Sequence, residues 1–298
     1  MADITLLDGG MGQELIARSG DPPTPLWATQ VMIGHPGLVG AIHADYFTAG
    51  STVATANTYA IERERLRTFE IEDRFRSLME QALREATEAR AAHGTGRIAG
   101  SLGPLVASYR SDVLPPHEVA VARYREAAGL MAPHVDLLIA ETVPSLASAR
   151  AVAEGASGAG KPLWLSVTVD DEDGTLLRSG EKVAGLAPIL RDHGVAAVLA
   201  NCSAPEAMAA ALDIFRGFGL PFGAYANGFQ QITKEFLKDN PTVDLLSARP
   251  EMTPARYADF AHLWVTMGAT IIGGCCETTP AHIAEIARRL SAEGHRIV

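Results

Sequence analysis

The stretch that decides the fold is Val135-Asp-Leu-Leu-Ile-Ala-Glu141, a nearly continuous apolar run that ends in a carboxylate. A second run, Ala196-Ala-Val-Leu-Ala-Asn-Cys202, has the same form and ends in an amide and a thiol. Continuous apolar runs, unlike alternating ones, are typical of strands buried on both faces, as in a parallel sheet. Both stretches therefore predict buried parallel strands with polar groups at their C-terminal ends.

Eight runs of this kind recur along the chain, and helix-like segments separate them. The predicted strands are Ile4–Asp8, Thr52–Asn57, Arg97–Leu102, Asp136–Glu141, Leu163–Val169, Ala196–Cys202, Phe222–Asn227 and Thr270–Cys275. Apolar residues at three- and four-residue spacing predict an amphipathic helix over Arg74–Ala92. A hydroxyl residue ahead of a proline predicts further helix starts at Ser203–Glu206, Thr253–Pro254 and Thr278–Pro280.

Eight strands alternating with helices over 298 residues predict a single α/β domain, residues 1–298. The expected fold is a parallel, eight-stranded (β/α)8 TIM barrel. An open doubly wound sheet is the structural alternative. The spacing between strands is uneven, and the extra length lies in Arg18–Pro36 and Gly228–Met252. Active-site loops or lids would explain these segments, and plain surface insertions would explain them equally well.

Composition and charge narrow the class of protein. The 25 basic and 35 acidic residues give a net charge of −10, which disfavours a nucleic-acid partner. Residues 1–12 carry Asp3 and Asp8 and lack the basic segment of a signal peptide. The longest apolar runs, such as Val195–Ala200, are far shorter than the roughly 20 residues that span a membrane. We therefore expect a soluble, cytoplasmic protein with small-molecule partners. A homo-oligomer stays open, since the sequence does not specify the oligomeric state.

Polar or thiol side chains stand at or just past the C-terminal ends of six predicted strands. They are Asp8, Thr55, Asn57, Glu141, Asn201, Cys202, Asn227, Cys275 and Cys276. A barrel gathers these ends on one face, where its active site lies. Any one of these residues could be an ordinary satisfied polar group, but nine over six strands predict one site.

The three cysteines are too few, and odd in number, for a disulfide framework. In a closed barrel, only the seventh strand would separate Cys202 from Cys275 and Cys276. Three thiolates suit Zn²⁺, which binds cysteine sulfur in tetrahedral geometry. Adjacent strand residues point to opposite faces, so the strand must be distorted at Gly273-Gly274 for both thiols to reach one ion. The fourth position would stay open, as in a catalytic site, and a substrate thiol suits it better than a hydrolytic water.

The cysteines and glycines also fit roles without a catalytic metal. A free cysteine is often a small buried apolar residue, and adjacent cysteines can form a strained disulfide. Gly273-Gly274 could instead belong to the phosphate site common in these barrels. That would fit a metal-independent lyase or aldolase, although neither Lys161 nor Lys182 stands at a strand end. A non-catalytic zinc- or thiol-binding partner subunit is a further alternative.

Six motifs run in order through most of the chain. They are Leu6-Leu-Asp-Gly-Gly-Met-Gly12, Thr55-Ala-Asn-Thr-Tyr59, Gly100-Ser-Leu-Gly-Pro104, Glu141-Thr142, Asn201-Cys202-Ser203 and Gly273-Gly-Cys-Cys276. In this arrangement the chain resembles the zinc-dependent homocysteine S-methyltransferases. The resemblance implies a (β/α)8 barrel that binds Zn²⁺ and homocysteine, with the homocysteine sulfur in the open metal position. The implied metal ligands are Cys202, Cys275 and Cys276.

The resemblance also implies a set of substrate-binding residues. They are Asp8, Gly9, Thr55, Tyr59, Glu141 and Asn227. Asp8 and Glu141 would accept hydrogen bonds from the α-ammonium group, and backbone near Gly9 and Thr55 would hold the α-carboxylate. Tyr59 resembles a tyrosine that in some members approaches the metal when substrate is absent. Asn227 matches a polar position to which no role is assigned.

The activity implied by the resemblance is methyl transfer to the homocysteine thiol, which forms methionine. Members of the family take the methyl group from S-methylmethionine or S-adenosylmethionine, from glycine betaine, or from a methylcorrinoid. Leu26-Trp-Ala28 and His43-Ala-Asp-Tyr-Phe47 resemble the short, free-standing members that use a sulfonium donor. Only Glu277–Val298 follow the last strand, without the extension usual in betaine-dependent members. We therefore expect a sulfonium donor, with betaine or a methylcorrinoid as the alternative.

Overall fold

A computed structural model of the chain describes residues 1–230, 232, 237, 238, 242 and 245–298. The strands are β1 Asp3–Leu6, β2 Val53–Thr55, β3 Arg97–Leu102, β4 Leu137–Val143, β5 Leu163–Val167, β6 Ala197–Asn201, β7 Phe222–Tyr225, β8 Ile271–Ile272 and β9 Arg296–Ile297. The helices are α1 Met11–Ser19, α2 Ala28–Gly34, α3 Leu38–Thr48, α4 Arg63–Thr68, α5 Phe75–His93, α6 His117–Met131, α7 Leu146–Ala156, α8 Ala187–Asp192, α9 Met208–Arg216, α10 Pro254–Thr266 and α11 Pro280–Ala292. Strands and helices alternate along most of the chain, as the sequence predicts for an α/β protein.

All the strands belong to one curled parallel sheet with the order β2-β3-β4-β5-β6-β7-β8-β1-β9. Within the described residues it has nine strands, one more than predicted, because the short β9 pairs with β1. The sheet curls until β2 reaches β1. There Leu7 and Val53 form a parallel bridge, and the Thr52 N–H donates to the Leu6 carbonyl at 2.7 Å. The C-terminal ends of the strands consequently face one another at one end of the curl.

The strands are buried on both faces, which explains their continuous apolar sequences. In β4, Leu137 and Ile139 pack into a cluster made of strand residues inside the curl. Leu138 and Ala140 point the other way, into the larger cluster beneath the helices. Burial on both faces favours apolar residues at every position, so the alternation of a half-exposed strand is missing.

The eighth strand is much shorter than predicted. Thr270–Cys275 was expected, whereas regular pairing covers only Ile271–Ile272. A Cβ on Gly273 would lie 2.5 Å from the Cβ of Leu7, and one on Gly274 would lie 2.1 Å from the Thr278 hydroxyl. The chain thus leaves the strand at Gly273-Gly274, where only glycine fits against the neighbouring segments.

Most of the predicted helices are found. The helix expected at Arg74–Ala92 spans Phe75–His93. Thr253 and Thr279 cap α10 and α11, each followed by a proline in the first turn. The start predicted at Ser203–Glu206 is wrong, because α9 begins only at Met208 after a turn.

The two long segments between strands differ in their structure. Arg18–Pro36 is no simple loop, since it contains the end of α1 and the whole of α2. Much of Gly228–Met252 lies outside the described residues, so the choice between an active-site loop or lid and a surface insertion is not tested there. Elsewhere in the segment, Phe229 and Ala248 form an antiparallel bridge. No helix in the described part of the chain combines the length and apolarity needed to cross a membrane.

Candidate metal and substrate site

A cavity of about 380 Å³ opens at the C-terminal ends of the strands. Most of the predicted site residues line it. They are Asp8, Gly9, Thr55, Asn57, Tyr59, Glu141, Asn201, Cys202, Cys275 and Cys276. Its volume lies near the lower end of the range for small-molecule sites, roughly 300–1,000 Å³. The curled sheet therefore brings residues that are up to 268 positions apart into one small-molecule-sized site.

The three cysteines converge in this cavity as free thiols. The Cys202 Sγ lies 2.8 Å from the Cys275 Sγ and 3.6 Å from the Cys276 Sγ. All three sulfurs lie within 4.8 Å of one another. Tetrahedral zinc with Zn–S bonds of about 2.3 Å spaces its sulfurs by about 3.8 Å. The donor set therefore fits the zinc ion implied by the sequence; the Cys202–Cys276 spacing matches it, and the Cys202–Cys275 pair would have to move about 1 Å apart to hold the ion.

Unusual backbone conformations surround the thiols. Cys202 has a φ of 51°, in the left-handed region that residues with a Cβ seldom adopt. The described non-glycine residues with positive φ are Trp27, Glu70, Val106, Tyr109, Thr142, Cys202 and Glu277. Five of these line the cavity, and Glu277 directly follows Cys276. Strained backbone of this kind clusters at functional sites, where the surrounding structure holds it in place.

The thiols share hydrogen bonds that polarise one of them. Hydrogen bonding with Cys275 and Cys276 holds the pKa of the Cys202 thiol well below its ordinary value. The Tyr109 hydroxyl also donates to the Cys202 Sγ, at 3.0 Å. The same interactions with Cys202, together with burial, raise the pKa values of Cys275 and Cys276. Sulfur at Cys202 is thus the most anionic of the three.

Asp8 forms one side of the carboxylate end of the cavity. Its Oδ2 accepts a hydrogen bond from the Thr55 N–H at 2.7 Å, and its Oδ1 accepts one from the Thr55 hydroxyl at 3.0 Å. Burial nevertheless raises the pKa of Asp8 to about 7, with a smaller contribution from the nearby Glu141. Two hydrogen bonds do not offset the loss of water around this carboxylate.

Glu141 lies in the last part of β4, where pairing with β5 is irregular between Ala140 and Val143. Its Oε2 accepts a hydrogen bond from Ser101, and its Oε1 accepts one from the Tyr225 hydroxyl at 2.9 Å. Burial raises its pKa to about 7 as well. Two carboxyl groups that share a cavity and titrate near neutral pH form a site where a bound cation would stabilise both ionised forms.

Three predicted residues have contacts that the sequence did not indicate. The N–H of Thr55 already donates to Asp8, so it is engaged within the protein. The Tyr59 hydroxyl hydrogen-bonds to Ser108 at 2.8 Å, and the tyrosine hydroxyl on the sulfur belongs to Tyr109. The Asn227 Oδ1 accepts from the Phe229 N–H at 3.2 Å, which closes a turn beyond β7. Asn227 is not among the described residues that line the cavity.

Sequence reasoning missed several site residues. Tyr109 lies in a segment without regular structure and has no strand-end signal. Ser101 and Tyr225 do stand near strand ends, and that position could have identified them. The side-chain amide of Gln13 lowers the pKa of the Cys276 thiol against the larger effect of Cys202, and the indole nitrogen of Trp27 is buried without a hydrogen-bond partner in the described structure. Both residues line the cavity and add polar groups to it.

The fold and the site together define a class of protein: a parallel α/β protein with a three-cysteine candidate metal centre at its strand ends. Three comparisons make the class specific. The homocysteine S-methyltransferase family model matches residues 5–290. The homocysteine S-methyltransferase of Escherichia coli (strain K12) is 32% identical, with 96% of this chain and 95% of that protein covered. Homocysteine S-methyltransferase 4 of Zea mays is 30% identical, with 95% and 88% covered.

The solved structures agree with the sequences. The chain is similar to the crystal structure of the homocysteine methyltransferase MmuM from Escherichia coli in its metallated form. The TM-score is 0.80 at 28% identity, and 96% of each chain is covered. The chain therefore belongs to the homocysteine S-methyltransferase family, and it is an enzyme of that family.

Proposed function

We propose that the enzyme transfers a methyl group from a small cationic donor, a sulfonium compound, to the thiol of homocysteine and so forms methionine. One observation carries the proposal: three converging thiols stand in the same cavity as two carboxyls, the buried Asp8 and the half-buried Glu141, whose pKa values are raised to about 7. Thiols suit a metal that binds a fourth sulfur, and the carboxyls suit an ammonium group. Homocysteine carries both groups on one short chain.

Asp8 and Glu141 bind the α-ammonium group in this proposal. Each has hydrogen bonds from neighbouring hydroxyls and, in Asp8, from a backbone N–H, so the carboxylates are fixed before substrate arrives. Neither has a cationic partner among the described residues. An ammonium group would supply the missing charge and lower both pKa values. Because the Thr55 N–H is engaged, backbone near Gly9 is the better candidate for the α-carboxylate.

Cys202, Cys275 and Cys276 would hold the zinc ion. A zinc ion bound there would lower the pKa of the substrate thiol, so that the thiol would lose its proton near neutral pH. The protein's part is to hold the three sulfurs together at the broken end of β8 and at the left-handed Cys202. The Tyr109 hydroxyl, 3.0 Å from the Cys202 Sγ, donates to that sulfur and tempers its charge.

The transfer itself is a direct displacement. The homocysteine thiolate forms a bond to the methyl carbon while the bond between that carbon and the cationic centre of the donor breaks. The electron pair of the broken bond stays with the donor, which becomes neutral. No general base is needed at this step, so the residues of the cavity act by holding the two reactants in line and excluding water.

The remaining features of the protein are proposed on the same basis. We interpret the curled sheet as an eight-stranded (β/α)8 barrel closed between β1 and β2, with β9 added outside. The Leu7–Val53 bridge supports this interpretation. Residues 1–298 form one domain in this view, and the acidic charge fits a cytoplasmic enzyme of small metabolites.

A donor screen tests the proposal. Purified protein, with zinc content measured by elemental analysis, would receive homocysteine and either S-methylmethionine, S-adenosylmethionine or glycine betaine. We expect methionine with at least one sulfonium donor, lost after chelation of the metal and restored by Zn²⁺. Turnover with betaine alone would correct the donor class. Homocysteine binding without turnover on any donor would contradict the proposal and favour a methylcorrinoid source or a partner-subunit function.

A further inference from the structure

A short helix, α4, forms one wall of the cavity. This helix carries several arginine side chains. Among its residues, Glu64, Arg65 and Thr68 line the cavity. The Glu62 side chain caps the helix by accepting from the Arg65 N–H at 3.1 Å, which fixes the backbone at Arg65. An arginine therefore faces the same cavity as the thiols and the carboxyls, from a rigid element that the proposed function does not yet use.

The other arginines around α4 are paired. Arg63 binds Glu126 in a bidentate contact, with nitrogen–oxygen distances of 2.6 and 2.8 Å. Arg67 binds Glu72 in the same manner, at 2.7 and 2.8 Å. Arg123 contacts Glu64. The acidic groups next to the cavity wall are thus already engaged by these three arginines.

Arg65 differs from them. Within the described residues, no carboxylate lies within ion-pair distance of its guanidinium, and no acceptor is hydrogen-bonded to it. Burial by the surrounding protein lowers its pKa, and the nearest ionisable groups acting on it are Tyr59 and Glu62. A guanidinium stays charged in a protein, so one that is half-buried, lines a cavity and has no described partner is available to bind an anionic group of a ligand.

The carboxyl pair and Arg65 have different neighbours in the cavity. Asp8 accepts hydrogen bonds from Thr55, and Glu141 accepts them from Ser101 and Tyr225. Among the described contacts Arg65 makes no hydrogen bond with either carboxyl, and it influences the pKa of Tyr59, as Cys202 does. In an α-amino acid the ammonium and carboxylate groups share one carbon, so a homocysteine held by Asp8 and Glu141 would place its own carboxylate beside that pair.

We propose that Arg65 binds the carboxylate of the methyl donor. This inference rests on the proposed function and narrows the donor to a small zwitterion with a cationic methyl-bearing centre at one end and a carboxylate at the other. The guanidinium suits this task because its planar fork can donate two parallel hydrogen bonds to one carboxylate. Held in this way, the donor would project its cationic end past Tyr59 towards the thiols.

Steady-state kinetics of Arg65→Gln and Arg65→Lys test the inference. The donor would be S-methylmethionine, with glycine betaine in parallel, and Arg67→Gln would be the control for loss of an arginine from the same helix. We expect Arg65→Gln to raise the KM of the donor about 10- to 100-fold and to leave the KM of homocysteine within about twofold. Arg65→Lys keeps the charge but loses the fork, so it should fall between. Arg67→Gln should match wild type.

A change in the donor provides a second, independent readout. The methyl ester of S-methylmethionine lacks the carboxylate, so wild type should use it about 10- to 100-fold less well, while Arg65→Gln should treat ester and acid nearly alike. A raised KM for homocysteine with an unchanged donor KM would overturn the inference and assign Arg65 to the homocysteine carboxylate. Unchanged KM values for both substrates in Arg65→Gln would overturn it too. The same holds if replacing S-methylmethionine by its ester lowers the activity of Arg65→Gln and of wild type by the same factor.

Failure of the proposed function would be visible separately. If wild type forms no methionine from any small donor, the proposed function fails. Isothermal titration of S-methylmethionine and of its ester into the metal-free protein then tests Arg65 by itself. The carboxylate site is supported if wild type and Arg67→Gln bind S-methylmethionine more tightly than its ester and Arg65→Gln does not. Equal binding of acid and ester by wild type overturns it. Thermal unfolding of each variant separates loss of binding from loss of the fold.

Discussion

The two ends of the cavity are built in different ways. At the carboxylate end, Glu141 belongs to the seven-residue strand β4, and side chains from β3 and β7 donate hydrogen bonds to both of its oxygens. At the thiol end, Cys275 and Cys276 follow a strand of two residues, and Cys202 has left-handed backbone. The described hydrogen bonds of the sulfurs come from one another and from Tyr109.

This difference shows which parts of the site the protein completes alone. Hydrogen bonds from Thr55, Ser101 and Tyr225 fix the carboxylates, so that end is organised before any ligand binds, although β4 is irregular between Ala140 and Val143. The thiols are brought together by irregular backbone, and three sulfurs at such short distances need a cation between them to become a stable set of thiolates. The protein therefore organises the carboxylate end by itself, whereas a bound metal ion would organise the thiol end. Variants at the two ends test that contrast, and their effects should differ in size.

The largest effect should come from Cys202→Ser. A hydroxyl is a poor replacement for a thiolate ligand of zinc, and loss of even an outer-shell partner costs about 10- to 100-fold in metal affinity or activity. We expect zinc retention and methionine formation to fall together by more than about 100-fold. Elemental analysis and a methionine assay measure the two. A folded variant that keeps both would show that the thiol end does not depend on metal, and the contrast would fail.

At the carboxylate end, Glu141→Gln should weaken homocysteine binding without removing zinc. Loss of one charged hydrogen-bond acceptor costs about 1.5–3 kcal/mol, so the KM of homocysteine should rise about 10- to 150-fold. Zinc content should match wild type, because Glu141 contacts Ser101 and Tyr225 and no thiol. Loss of zinc in this variant would mean that the two ends are not organised separately.

The pH dependence of the wild type adds to this test. Both carboxyls have pKa values near 7 in the folded protein, well above 3.8 and 4.5. The kcat/KM for homocysteine should therefore rise as pH increases through about 7, where the pair ionises and can bind an ammonium group. Stability should change in the opposite direction: the contribution of these groups is present below about pH 4 and is lost as pH rises through about 7. Urea unfolding of the ligand-free protein at pH 5.5 and 8 measures it.

The contrast also explains which features could be predicted from sequence. Continuous apolar runs and the residues at their ends predicted the parallel strands and the cluster of Asp8, Glu141 and Cys202, because burial on both faces leaves a clear pattern. The same strand-end argument predicted that the three thiols converge, and the family resemblance implied the same set. Strand-end position was therefore informative for the carboxylates and for the thiols.

Irregular parts of the site escaped prediction for physical reasons. Tyr109 reaches the Cys202 sulfur from a segment whose conformation depends on tertiary packing, with a φ of 64° at Tyr109 itself. The bounds of β8 were wrong because close approach of Leu7 and Thr278 ends the strand early, and contacts between distant segments have no local signal. Arg65 differs from the other arginines around α4 only because, among the described residues, those arginines pair with carboxylates and Arg65 does not. This pairing depends on how the helices pack, so the sequence alone does not show it.

Gly274→Ala should disturb the thiol end by a moderate amount. The added Cβ would lie 2.1 Å from the Thr278 Oγ1 and would push the turn that carries Cys275 and Cys276. We expect a loss of about 1–3 kcal/mol in the free energy of unfolding, typical of overpacking, and a lower zinc content. Gly129→Ala, in α6 with no atom within 4 Å of the added Cβ, is the matched control. It should be neutral or stabilise by up to about 1 kcal/mol. Similar behaviour of the two variants would contradict a special requirement for glycine at the end of β8.

The smallest effect should come from Tyr225→Phe, which removes one hydrogen bond from Glu141 and leaves the ring in place. The Tyr225 hydroxyl donates to the Glu141 Oε1 at 2.9 Å and lowers the pKa of that carboxyl against the effect of burial. Without it the pKa of Glu141 should rise above 7, so the rise of kcat/KM for homocysteine should move to higher pH. At pH 7 we expect a loss of about 2- to 10-fold, corresponding to about 0.5–1.5 kcal/mol, with activity recovering near pH 9.

Ser101→Ala removes the bond to the other oxygen and should shift the profile in the same direction. A loss of kcat/KM that is equal at all pH values would instead mean that the Tyr225 hydroxyl contacts the substrate. In that case the carboxylate end would depend on its ligand, as the thiol end would depend on metal.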